Sequence, residues 1–181
     1  NINYVKDPEL YNALLLKKFP NGERQREIKL YDFNKRLSDN EIYLISNEHF
    51  SMPSSWLNPD VKKFNSRNEI SRLIKKYFPD AKILLIIRRQ LDWIESWYQE
   101  RVKRNEKRNI EDLVSSSFFK KEIIKYLDYN LTTNHYYKLF GKENIKIIPM
   151  EIIKDNPQEF SNEVTDFLRI KKVKKVFFPV V

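Results

Sequence analysis

Two arginines and a serine carry the first chemical signal in this chain. Arg88 and Arg89 follow directly on the apolar run Ile83 to Ile87, and Ser96 stands eight residues after Arg88. A guanidinium is a permanent cation whose fork of donors matches an oxyanion. If a helix opens after the arginines, its free backbone N–H groups and positive dipole end face the same place, and Ser96 adds a hydroxyl from the first turns. Together these parts could hold a phosphate. Arginines also end strands simply because they reach solvent, and this segment alone does not decide between the two readings. A second pair of candidates, Glu48 and His49, follows the run Glu41 to Ser46. Either side chain could act as a general base. Either could equally be an ordinary surface group, and the residues alone leave both open.

Such groups work only if the backbone aims them. Ile83 to Ile87 is a short apolar run without polar alternation, which predicts a strand buried on both faces, as in a parallel sheet. Asp92-x-x-Glu95 resembles a helix-start box, and Leu91, Ile94, Tyr98 and Val102 recur at helical spacing, predicting a helix over about residues 93–106 with those residues inward. Arg88 then lies at the carboxyl end of a strand, where open α/β sheets bind their ligands. Glu41 to Ser46 predicts another buried strand, with a long loop after it from Ser51 to Pro59 that contains Trp56.

The flanking segments follow the same logic. Asp7-Pro8-Glu9 predicts a helix start, and a second helix is predicted over Arg24 to Leu37 with Ile28, Tyr31 and Phe33 inward. Ser66-x-x-Glu69 is a capping box ahead of Ile70, Leu73, Ile74 and Tyr77. A polar stretch runs to Ser117. Helices are predicted over Phe118–Leu127 and Leu131–Phe140, broken near Asp128 to Asn130, with Gly141 as a carboxyl-terminal cap. Asn144 to Pro149 predicts a third strand. Asn156-Pro157-x-Glu159 starts a last helix with Phe160, Val164, Phe167 and Leu168 as its apolar stripe, ahead of a lysine-rich tail from Lys171 to Val181. Strands alternating with helices predict an α/β domain, a three-layer sandwich in which helices flank a mainly parallel central sheet.

Composition narrows the chemistry. A length of 181 residues suits a single domain, 1–181, with a real core, and 41% hydrophobic and 14% aromatic residues argue against disorder. Two glycines, Gly22 and Gly141, leave no room for a standard glycine-rich phosphate loop. The chain has no cysteine, which excludes disulfides and thiolate metal sites, and His49 and His135 are too few for a multi-histidine site, so no metal is expected. No apolar run approaches a membrane span and no signal peptide is visible, so a cytoplasmic protein without a membrane span is expected. The first residue is Asn1 rather than Met, which suggests a chain that lacks its native N-terminus. The net charge of +9 favours anionic partners, although the runs Arg101 to Arg108 and Lys171 to Lys175 could each be a solvated face.

At this point the motifs resemble a known family. Arg88-Arg-Gln-Leu-Asp92-x-x-x-Ser96-x-Tyr98 after an apolar strand is similar to the 3′-phosphate-binding segment of sulfotransferases. Two further segments, Leu44-Ile-Ser-Asn-Glu48-His-Phe-Ser51 and Tyr136 to Glu151 followed by Asn156-Pro157 and Asp166 to Ile170, resemble that family's base-bearing strand end and its carboxyl-terminal strand and helix. The resemblance covers about residues 41–170, in the family's order and spacing. It implies a P-loop NTPase-like sulfotransferase fold and 3′-phosphoadenosine 5′-phosphosulfate as donor, with adenosine 3′,5′-bisphosphate as product. It also implies that Arg88 and Ser96 hold the 3′-phosphate, with Arg89 as an alternative or as support behind them. The base it implies is Glu48, with His49 as runner-up, and the acceptor is a hydroxyl or amine, on a carbohydrate or a small molecule.

The departures are specific. The family's lysine-, glycine- and threonine-rich 5′-phosphosulfate loop is not in this chain, which fits a missing N-terminus and removes the lysine that would contact the leaving phosphate. Arg-Asn-Pro is Arg88-Arg89-Gln90 here, a form similar to bacterial and carbohydrate-directed members. Phe-Leu-Gly is Phe167-Leu168-Arg169, and the arginine-lysine-glycine segment of the cytosolic branch is not present. Trp56, Trp93 and Trp97 are candidates for stacking on adenine or sugar, against the commoner role of core packing. Two other readings stand beside transfer. One is a basic α/β module that binds nucleotide, glycan or nucleic acid without catalysis, although no nucleic-acid recognition motif stands out and no nucleic-acid partner is expected. The other is a degenerate relative that binds without transferring.

Overall fold

The computed structural model describes residues 2–4, 22–37, 41–45 and 67–170. The helix predicted from Asp7, the base candidates Glu48 and His49, the loop Ser51 to Pro59 with Trp56, the cap residue Ser66 and the tail from Lys171 lie outside the described residues. The chain forms two compact units, Asn1–Ala81 and Lys82–Val181.

In the first unit, strand β1 (Ile2–Tyr4) pairs in parallel with β2 (Ile42–Leu44), Ile2 opposite Ile42 and Tyr4 opposite Leu44. Parallel neighbours need a crossover, and helix α1 (Gly22–Lys35) lies between them in sequence. Helix α2 (Arg67–Tyr77) follows β2. The core of this unit is Leu30, Phe33 and Tyr77, surrounded by Leu37, Leu73, Ile74 and Phe78, with Phe33 and Phe78 edge to face at 6.1 Å. Two expectations are corrected here. Tyr31 is exposed rather than inward, because the buried face of α1 follows Leu30, Phe33 and Leu37. Its ring instead lies under the Lys35 ammonium, 4.5 Å away on the next turn. The second predicted strand is only partly buried, with Leu44 exposed. β1 was not anticipated, since three residues carry too little pattern to distinguish a strand.

In the second unit, β3 (Ile83–Ile87) pairs in parallel with β4 (Ile145–Pro149), in register from Ile83 opposite Ile145 to Ile87 opposite Pro149. Burial on both faces of β3 does not hold. Leu85 is buried but Ile86 is 48% exposed. β4 is anchored by Ile148, which is fully buried and gains about 2–3 kcal/mol from that burial. Helices α3 (Gln90–Lys103) and α4 (Ile110–Ser115) follow β3. A π-helical turn (Phe119–Ile123) then runs into α5 (Ile124–Leu127), and α6 (Tyr129–Phe140) leads through a 3₁₀ turn (Lys142–Asn144) into β4. The short α7 (Glu151–Asp155) and α8 (Pro157–Leu168) complete the unit.

Local signals explain most of these boundaries. The Asp128 carboxylate accepts the N–H groups of Asn130 and Leu131, so the chain breaks there and α6 begins. Asn156 caps α8 by accepting the Glu159 N–H, and its side-chain Nδ2 donates to the Glu159 carboxylate. Gly141 ends α6 at φ +84°, where a Cβ would strike the Glu143 side chain. The protein is thus mixed α/β and mostly helical, and its strands pair in parallel as expected, in two short pairs among the described residues. Among those residues no helix is long and apolar enough to cross a membrane.

Candidate functional site

Arg88 stands just past the carboxyl end of β3 and Arg89 is the residue that opens α3. The helix starts at Gln90, not at the predicted Asp92 box. Arg89 is extended (φ −52°, ψ 136°), and no side chain caps α3, because the Asp92 carboxylate turns to Arg89 Nε at 2.8 Å instead of to a backbone N–H. The first intrahelical bond is Trp93 N–H to the Arg89 carbonyl, so the N–H groups of Gln90, Leu91 and Asp92 have no acceptor within the helix. Ser96 lies one turn beyond Asp92 on the same face and is half-buried.

The two arginines differ sharply. Arg89 is largely exposed and is flanked by two carboxylates, Asp92 at 2.8 Å and Glu151 at 3.6 Å. The hydrogen bond that Arg89 donates to Asp92 leads in holding its pKa above the ordinary value. Arg88 is half-buried, and among the described residues no carboxylate pairs with its guanidinium. Among the described residues, the cation at the strand end without a carboxylate partner is therefore Arg88.

Two groups that sequence reasoning did not single out also converge here. Tyr129, the first residue of α6, donates its hydroxyl to the Arg88 carbonyl, and burial raises its pKa, which keeps the phenol a neutral donor. Glu151, the first residue of α7, accepts the Arg89 N–H through Oε1 at 2.9 Å. That bond is the leading cause of its pKa lying below the usual carboxylate range. The Met150 N–H closes the same corner on the Ile87 carbonyl at 2.6 Å. Asp128, as a cap before Tyr129, was a visible sign that a helix start falls there; nothing local in the sequence places that start beside β3.

The face of α3 that packs inward also differs from the expected one. Leu91 is 79% exposed and Val102 is exposed, whereas Trp97 is buried. Trp97 stacks on Trp93 at 6.1 Å and meets Phe119 at 5.6 Å. The larger indole surfaces win the interior over the aliphatic stripe, so Trp97 serves packing. Of the predicted site residues, the structure brings Arg88 and Arg89 to the β3 end with Ser96 on the adjoining helix. Glu48 and His49 fall outside the described residues.

No protein-family model matches the chain, and no curated protein matches it. Among solved structures the chain is similar to the crystal structure of a sulfotransferase from Alicyclobacillus acidocaldarius, with 18% identity over 94% of this chain and 71% of that one and a TM-score of 0.60. At that identity the likeness is one of fold.

Proposed function

We propose that this chain is a sulfotransferase that takes its sulfuryl group from 3′-phosphoadenosine 5′-phosphosulfate and passes it to a hydroxyl or amine, on a carbohydrate acceptor. The observation that carries the proposal is the half-buried Arg88 guanidinium, without a carboxylate partner among the described residues, at the carboxyl end of β3 in a fold shared with a bacterial sulfotransferase. The residues fit an anionic nucleotide. Arg88 offers a cation, α3 offers uncapped N–H groups and Ser96 offers a hydroxyl. In this reading Arg88 holds the 3′-phosphate and Ser96 adds its donor, while Arg89 keeps its own two carboxylates. The donor, when bound, supplies the sulfuryl group, and its transfer builds negative charge that positioning and fixed positive charge must stabilise. Glu48 takes the proton of the acceptor hydroxyl, with His49 as the alternative base.

The test is calorimetric binding of adenosine 3′,5′-bisphosphate beside adenosine 5′-phosphate. A preference for the bisphosphate is expected, and Arg88→Ala is expected to weaken it about 10- to 100-fold, the size of a lost charge-assisted hydrogen bond. Equal binding of the two nucleotides would overturn the 3′-phosphate site. For the base, Glu48→Gln is expected to lower turnover about 10²- to 10⁴-fold while leaving bisphosphate affinity in place. Full activity in that variant would remove Glu48 from the role.

A further inference from the structure

The peptide that joins Arg88 to Arg89 is held at both ends. Its carbonyl accepts the Tyr129 hydroxyl, and its N–H is donated to Glu151 Oε1 at 2.9 Å. The two grips come from the first residues of α6 and α7, which lie 41 and 62 residues away along the chain from the groups they hold. A peptide plane gripped at carbonyl and amide cannot turn freely about ψ of Arg88 or φ of Arg89. The direction in which the Arg88 side chain leaves the backbone is therefore fixed. Small rotations of that plane would swing a guanidinium at the end of a long side chain by on the order of 1 Å, an error large enough to matter in a positioned site.

Apart from its own N–H at the start of α7, which also helps lower its pKa, the other partner of the Glu151 carboxylate is the Arg89 guanidinium. That ion pair is long, at 3.6 Å, and the Arg89 side chain is 72% exposed and already bonded to Asp92. Such a surface pair contributes little. The distinctive bond of Glu151 is the one to the backbone amide. The nearby Arg89 guanidinium then partly screens the Glu151 charge, which would otherwise repel an anion at the β3 end.

We infer that Glu151 is a positioning residue for the phosphate site, setting the aim of Arg88 by holding the Arg89 amide while Tyr129 holds the carbonyl of the same peptide. The inference rests on the reading that Arg88 binds the 3′-phosphate.

Two conservative variants separate reach from charge. Glu151→Gln keeps an oxygen at the same reach and loses the charge. Glu151→Asp keeps the charge and falls short of the amide. The readouts, on the full chain, are calorimetric affinity for adenosine 3′,5′-bisphosphate and for adenosine 5′-phosphate, with thermal unfolding of the unliganded variants as a fold check. Glu151→Asp is expected to weaken the bisphosphate about 5- to 20-fold and to change adenosine 5′-phosphate less than about twofold, while Glu151→Gln stays within about threefold of the parent for both. Equal weakening of both nucleotides, or a Glu151→Gln variant as impaired as Glu151→Asp, would overturn the inference while leaving the phosphate site standing. A parent protein with no preference for the bisphosphate would overturn the site and the inference together.

Discussion

Glu106 shows how a single side chain can absorb what looks in sequence like a patch of positive charge. Its side chain is only 9% exposed, and its carboxylate receives Arg101 Nη2 at 2.9 Å, Arg108 Nη2 at 2.7 Å and Arg108 Nε at 2.9 Å. The N–H groups of Lys107 and Arg108 add two longer bonds at 3.2 Å. The Arg108 hydrogen bonds first, and Arg101 second, hold the Glu106 carboxyl far below the usual carboxylate range. The folded-state pKa thus lies below the unfolded value of about 4.3. The folded state then binds fewer protons than the unfolded state in the window between the two values. The stabilisation is fully present above about pH 4.3 and is lost as pH falls through the folded-state value. Glu106→Gln is expected to cost about 1–3 kcal/mol at pH 7, since two partly buried guanidinium groups lose their counter-charge. The gap from the parent should narrow as the pH is lowered below about 4. Urea unfolding across that range checks both statements, and a gap that widens in acid would contradict them.

At the scale of elements, the clearest misfit is the end of α8. Arg169 follows the helix at φ +59°, ψ +43°, the left-handed conformation in which glycine is the usual residue. The backbone at this position adopts the shape of a glycine cap without the glycine, and the cost of the Cβ is borne by the fold. Arg169→Gly is expected to raise stability by about 0.5–1 kcal/mol, net of the extra freedom glycine brings to the unfolded chain. A chemical denaturation midpoint that moves upward with unchanged slope would bear this out. Elements whose signals are local were legible in sequence. Asn156-Pro157-x-Glu159 marked the start of α8 because the cap, the proline and the carboxylate all act within one turn. α4 was missed although Asn109 accepts the Asp112 N–H at 2.8 Å, a cap of the same kind hidden inside a polar stretch whose one deeply buried residue is Leu113. The inward face of α3 was misread because spacing cannot weigh an indole against an aliphatic side chain.

For the whole molecule, the net charge of +9 is an excess that ion pairs leave in place, because each pair cancels one charge of each sign. Besides Arg101 and Arg108 on Glu106, Lys103 pairs with Glu100 at 2.7 Å, Lys125 with Glu122 at 2.6 Å and Lys146 with Glu163 at 3.0 Å. Excess positive charge therefore singles out no site; Arg88 draws the functional reading because it is half-buried at the carboxyl end of β3 and no carboxylate pairs with it among the described residues. Local chemistry along the chain was enough to establish the α/β class, the β3 strand, the two arginines at its end, the break before α6 and the capped start of α8, because each depends on residues within a few positions of one another. Tertiary packing alone decided which face of α3 is buried and that Tyr129 and Glu151 grip one peptide at the β3 end. The grip depends on groups brought together from 41 and 62 residues away, a separation across which no periodicity or cap can speak.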